Sequence, residues 1–159
     1  RNVVFNIIDG APGTKVAVSR LLKNQEDIGN AIKPYYGEEA GNALTVLLKT
    51  HIVTAGNVFT LTKNGNAAEL NTSLAAWYAN GDSIAMFLNT TNPNNWKLDE
   101  WKAMMKSHLD ITLTEATARC KADYAADVTA YDDINKALLM MADMLSEGIV
   151  MQNPDKFRD

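Results

Sequence analysis

LTVLLKTHIVTAGNVFTLTK, residues 44–63, is the stretch whose reading decides the fold. Steps of three and four from His51 reach Leu44, Leu47, Leu48, Ala55, Val58 and Phe59, one apolar stripe of an amphipathic helix, while Lys49 points elsewhere. A histidine therefore sits in the middle of an inward-facing stripe. The stretch has an echo 57 residues later, where Leu47-Leu48-Lys49-Thr50-His51-Ile52 is answered by Met104-Met105-Lys106-Ser107-His108-Leu109. His51 and His108 are the only two histidines in the chain, and each holds the same place in its copy.

Working outward, helical segments follow one another with turn signals between them. Residues 2–9 read as the end of a helix, broken by Asp9-Gly10-Ala11-Pro12-Gly13. Thr14 is placed to cap the next helix, Asn24 offers a second N-cap, and Pro34 predicts an end near Lys33. After Tyr35-Tyr36-Gly37 the pattern predicts helices over 38–63, 67–90, 98–123 and 127–151. Asn64-Gly65-Asn66, Asn92-Pro93 and Asn153-Pro154 close three of them. Leu138 is placed on the buried stripe of the last helix, and Asp123 and Asp127 on exposed or capping positions. No run of β-branched residues alternates with polar ones for long, so the expectation is all-α.

The two His-to-Pro stretches have near-equal length, and a four-residue drift between them amounts to about one helical turn. Two such hairpins, 38–93 and 97–154, predict an up-down helical bundle of four long helices from a duplication, with an N-terminal helical segment, 1–36, against it. The whole, 1–159, is expected to be one domain.

Composition bounds the function. A chain of 159 residues that is 47% hydrophobic and 21% charged has the profile of a soluble globular protein. Its formal net charge of −4, with no clustered Lys and Arg, argues against nucleic acid and anionic surfaces as partners. No apolar run reads as a membrane span. One cysteine, Cys120, excludes an internal disulfide and a multi-thiolate zinc site from one chain. The chain opens at Arg1 rather than methionine, which predicts a protein cut from a longer precursor, cytoplasmic or exported after losing an N-terminal segment. Phosphate-cradling loops and nucleophile elbows are absent, so an enzyme is not expected.

The histidines are the candidate site. With neighbouring axes about 8–10 Å apart, diagonal helices of a bundle lie roughly 13 Å apart, a span two inward imidazoles can bridge through a shared ion. Glu115, two turns beyond His108 on the same face, is the candidate third ligand. Imidazole suits zinc, copper, nickel or iron. The di-iron carboxylate arrangement needs Glu-x-x-His, which does not occur here. The seven methionines, including Met140, Met141 and Met144, read as fillers of a helical core. The competing expectation makes the histidines core residues, bonded to a carbonyl or to Thr54 or Thr112. The protein is then a structural or interaction module, with an exposed apolar patch or a homo-oligomer interface expected around Trp77, Trp96 and Trp101.

RNVVFNIIDG, RLLKNQEDIGNAIKPYYG, HIVTAGNVF, Trp77-Tyr78-x-Asn80 leading to Ile84-Ala85-Met86-Phe87-Leu88, and ALLMMADMLSEGIV together resemble a family of small all-α prokaryotic proteins of unestablished activity. Members sometimes carry the names acetylglutamate kinase or glycosyltransferase, for which the residues here offer no nucleotide-binding pattern. The resemblance implies a first helix that extends upstream through His-Val-x-Trp-Thr-Arg, with its arginine at Arg1. It thereby implies a third inward histidine from a third helix.

Overall fold

A computed structural model describes residues 1–158. It contains five α-helices, α1 (Asn2–Asp9), α2 (Thr14–Asn64), α3 (Ala67–Thr91), α4 (Leu98–Cys120) and α5 (Tyr124–Gln152), with a short 3-10 turn at Pro154–Lys156 and no strand among the described residues. The all-α expectation holds.

α1 ends at Gly10, which takes the left-handed conformation (φ 70°) that a side chain resists. Thr14 does not cap α2. Gly13 occupies that position, and the Thr14 hydroxyl instead donates back to the carbonyls of Ala11 (2.6 Å) and Asn6 (3.0 Å), tying the two helices together. Asn24 starts no new helix either, because Gln25 beside it is buried and donates to Leu21 O within a continuous turn.

The break falls at Gly37 (φ 87°, ψ 168°), three residues after Pro34. Proline removes only its own donor, whereas Gly37 adopts a backbone that reverses the chain. The two arms of α2, 14–36 and 38–64, fold back on each other. Glu26 meets Lys49 at 2.5 Å, and Lys33 meets Glu38 at 2.8 Å. Two glycines make the close approach: a Cβ on Gly29 would lie 2.5 Å from Gly41 O, and one on Gly41 would lie 2.6 Å from Gly29 O.

The second arm of α2 packs on α3, α3 on α4, and α4 on α5, while α1 lies against α2 and α4. Ile7 of α1 faces Gly56 of α2, and Arg119 of α4 forks onto Asp9 of α1. Val58, Phe59, Trp77, Ala85, Leu109 and Ala116 are central members of the common core. At 1%, 0% and 2% exposure, Trp77, Trp96 and Trp101 belong to that core rather than to a surface patch. Their indole bulk repays full burial better than any smaller side chain, which corrects the expected interface around them.

α4 stops at Cys120 and α5 starts at Tyr124, earlier than either pattern predicted, because Asp123 caps α5 by accepting from Ala126 N (3.1 Å). Asp127 is consequently one turn inside the helix and only 1% exposed, not a surface carboxylate. The Asn92 terminator is pinned across the core: its Nδ2 donates to Gly148 O at 2.8 Å, while Trp96 Nε1 donates to Met144 O at 3.1 Å. Leu138, by contrast, is 46% exposed, so the buried stripe of α5 runs through Ile134 and Ala137 instead.

Among the described residues, one helix is long and apolar enough to cross a membrane by length and composition, which is not evidence for a span. It is α2, whose most apolar window has a mean hydropathy of 1.3. That departs from the expectation of no such run. The arm carrying Leu44, Ala55, Val58 and Phe59 buries those side chains in the core, a role that demands the same composition.

Candidate functional site

His51 rides on the second arm of α2 and His108 on α4. Their imidazole centroids are 6.3 Å apart, with the planes inclined by 30°. The Trp77 indole flanks His51 at 5.6 Å. The echoed stretches therefore do bring the two histidines together inside the helical stack.

His51 is 7% exposed, and its Nδ1 lies 2.8 Å from Oδ1 of Asn80 on α3. The Asn80 amide is itself held, because its Nδ2 donates to Leu47 O at 3.2 Å, on the turn before His51. Neither threonine named as a partner touches a ring. Thr54 Oγ1 donates to the carbonyls of Thr50 and His51, and Thr112 Oγ1 donates to His108 O. Asn80 went unassigned in the sequence, although the signal was present: an amide on the stripe of Trp77, Ile84 and Leu88, where an apolar residue is the norm.

His108 has no such partner. Its Nδ1 is buried and bonded to nothing, as is the neighbouring Trp77 Nε1. Burial lowers the pKa of both histidines. For His51 the Asn80 oxygen pulls the other way, and for His108 the adjacent His51 charge adds to the depression, bringing it to about 4. Both shifts favour the neutral imidazole, which carries one in-plane lone pair.

Glu115 goes elsewhere. It is 1% exposed, within reach of Asp127 and Arg1, and its Oε1 has no partner. Burial lifts its carboxyl above the usual range and Asp127 adds to this, against the pull of the Arg1 guanidinium. Around it, Arg119 joins Asp127 (3.3 Å) to Asp9, and Arg1 approaches Asp127 at 3.7 Å. Both guanidiniums also lie over the Phe5 ring, Arg1 at 4.5 Å and Arg119 at 4.1 Å, and the second of these cation–π contacts ties α4 to α1. No group of three or more His, Cys, Asp or Glu that could hold a metal ion occurs among the described residues. Cys120, at the C-terminal end of α4, is a free, exposed thiol.

No protein-family profile, curated protein or solved structure matches the chain.

Proposed function

We propose that the protein is an up-down four-helix bundle from two duplicated hairpins, 38–93 and 97–154, which binds a transition metal or a small ligand between His51 and His108. The single observation carrying this reading is the approach of two neutral, buried imidazoles to 6.3 Å. With a metal about 2.0–2.1 Å from each nitrogen and each nitrogen about 1.1 Å from its ring centre, two rings can share an ion up to roughly 6.4 Å apart. The centroid separation lies just inside that limit; sharing an ion also requires both rings to turn in-plane nitrogens toward it, and a tetrahedral angle at the ion requires closure by about 1 Å. Imidazole nitrogen suits zinc, copper, nickel and iron. Two protein ligands leave the remaining positions to water or to a bound molecule. The buried, unpartnered Nδ1 of His108 supports an occupant, since buried polar atoms ordinarily find a partner. The family resemblance belongs to the same proposal.

Equilibrium dialysis against zinc, copper, nickel and ferrous iron is expected to leave one ion per chain in the native protein and none in His51→Ala/His108→Ala. Retention by the double variant, or no retention by the native chain, sinks the reading.

A second reading is a non-enzymatic structural or interaction module with the histidines as core residues. One observation favours it: Val128, Leu139 and Val150 recur every eleven residues along the outer side of α5 and are 48%, 58% and 42% exposed. It predicts self-association, visible as a mass that rises with concentration in sedimentation and falls back with Leu139→Glu; a constant monomer mass contradicts it.

A further inference from the structure

We infer that Asn80 is a positioning residue that locks His51 into the Nδ1–H tautomer, so that the pair presents lone pairs and selects an electron-pair acceptor, a metal cation, over anionic ligands. The inference deepens the binding reading above and rests on it for the identity of the ligand, but not for the tautomer.

The argument starts from the amide. An asparagine carries one acceptor oxygen and one donor nitrogen, and the neighbours decide which faces where. Asn80 lies between Leu47 O, at 3.2 Å, and His51 Nδ1, at 2.8 Å. A carbonyl only accepts, so the amide nitrogen must face Leu47 and the oxygen must face the ring. Turning the amide over would set two acceptor oxygens against each other in a buried place. An oxygen facing Nδ1 requires a proton there. In the neutral ring the other nitrogen, Nε2, is then the acceptor. Leu47 lies on the helical turn preceding His51, so the clamp fixes the ring relative to its own helix.

Orientation of one ring nitrogen by a hydrogen bond to the other is how proteins prepare a histidine ligand, and loss of that outer partner typically costs about 10- to 100-fold in metal affinity. The arrangement is one-sided. Asn80 stands 29 residues beyond His51; the residue at the same interval beyond His108 is Ala137, which is buried and has no polar atom to offer. His51 is thus the fixed ligand, while His108, with its Nδ1 buried and unpartnered, is the adjustable one. An anion between them would meet the lone pair of His51 and no positive charge on either ring, since burial keeps both imidazoles toward the neutral form.

Side-chain 15N NMR of the protein without metal reads the tautomer directly. The native protein should show His51 protonated on Nδ1 alone. Asn80→Ala should give a tautomer mixture at His51 and weaken zinc binding by about 10- to 100-fold. Asn80→Ser, whose hydroxyl can both donate and accept and sets no second acceptor against Leu47 O, should retain the Nδ1–H tautomer and guards against a folding defect in the alanine variant. Inorganic phosphate should not shift either histidine. An Nε2–H tautomer in the native protein, an unchanged tautomer in Asn80→Ala, or binding of phosphate in preference to zinc would overturn the inference. If the tautomer is as stated and zinc does not bind, the ligand selection falls together with the metal reading, and the positioning of His51 by Asn80 is upheld.

Discussion

Acidification from pH 6.5 to pH 4 should cost the protein on the order of 3 kcal/mol through His108 alone, a large share of the roughly 5–15 kcal/mol that holds a domain together. The folded pKa of His108 is near 4 because its ring is buried and faces His51, against a usual 6.5 when the chain is unfolded. Between these values the unfolded chain binds the proton and the folded chain does not, so stability falls as pH falls. His51 is depressed in the same direction and adds to the loss. The carboxylates in tight pairs act lower down: Glu26, held at about 2 by Lys49 and Lys23, gives up its contribution only in stronger acid. Glu115 has the opposite sign. Its raised pKa means that its contribution is greatest when it is protonated and declines as pH rises through that value. Urea midpoints measured across pH 4–7 should fall steeply in the native protein and much less in His108→Gln. A flat profile would mean that the rings are not buried neutral.

Gly148→Ala should be among the most damaging single methyls in the chain. A Cβ there would sit 1.9 Å from Trp96 Nε1 and within 2.8 Å of two further indole atoms. Trp96 is fully buried, and its Nε1 is committed to Met144 O on the same helix, so the ring has nowhere to yield. Moving α5 away also pulls Gly148 O from Asn92 Nδ2. Overpacking of this kind costs about 1–3 kcal/mol, and the hydrogen bonds at stake place the variant at or above the upper end. Gly81→Ala is the matched contrast. Its Cβ would make ordinary contact with Leu109 at 3.5 Å, and a helical alanine gains about 1 kcal/mol over glycine, so that variant should be as stable as the native protein or more so. Thermal midpoints of the two variants, compared with the native protein, test the pair. Equal stability of both would show that α5 is not seated against Trp96 as described.

The helices, their inward faces and the meeting of His51 with His108 were legible because hydrophobic period and punctuation are local signals. What escaped were decisions made by distant partners. Asp127 reads as a polar cap in its own segment; only Arg119 and Arg1, from other helices, make its burial tolerable. Glu115 shares a face with His108 in projection, but two helical turns separate them along the axis, and it answers to Asp127 instead. Thr14 was placed as a cap by residue type, whereas the carbonyls of Asn6 and Ala11, brought close by the Gly10 turn, claimed its hydroxyl. Asn80 stands out only as an amide on an apolar stripe; its partner is not local. Its meaning lies in a hydrogen bond across 29 residues, which no helical period encodes. Leu138 shows the converse: a correct helix with a buried stripe displaced by less than one turn, enough to move a leucine to the surface.

The central claim is that His51 and His108 act on one ligand together, and a zinc titration followed by histidine side-chain 1H–15N correlation addresses both rings at once. The account predicts that the resonances of His51 and His108 shift in parallel and saturate together at one zinc per chain, with His51 bound through Nε2. Unchanged resonances for both histidines at saturating zinc, or a shift confined to one of them, would contradict it.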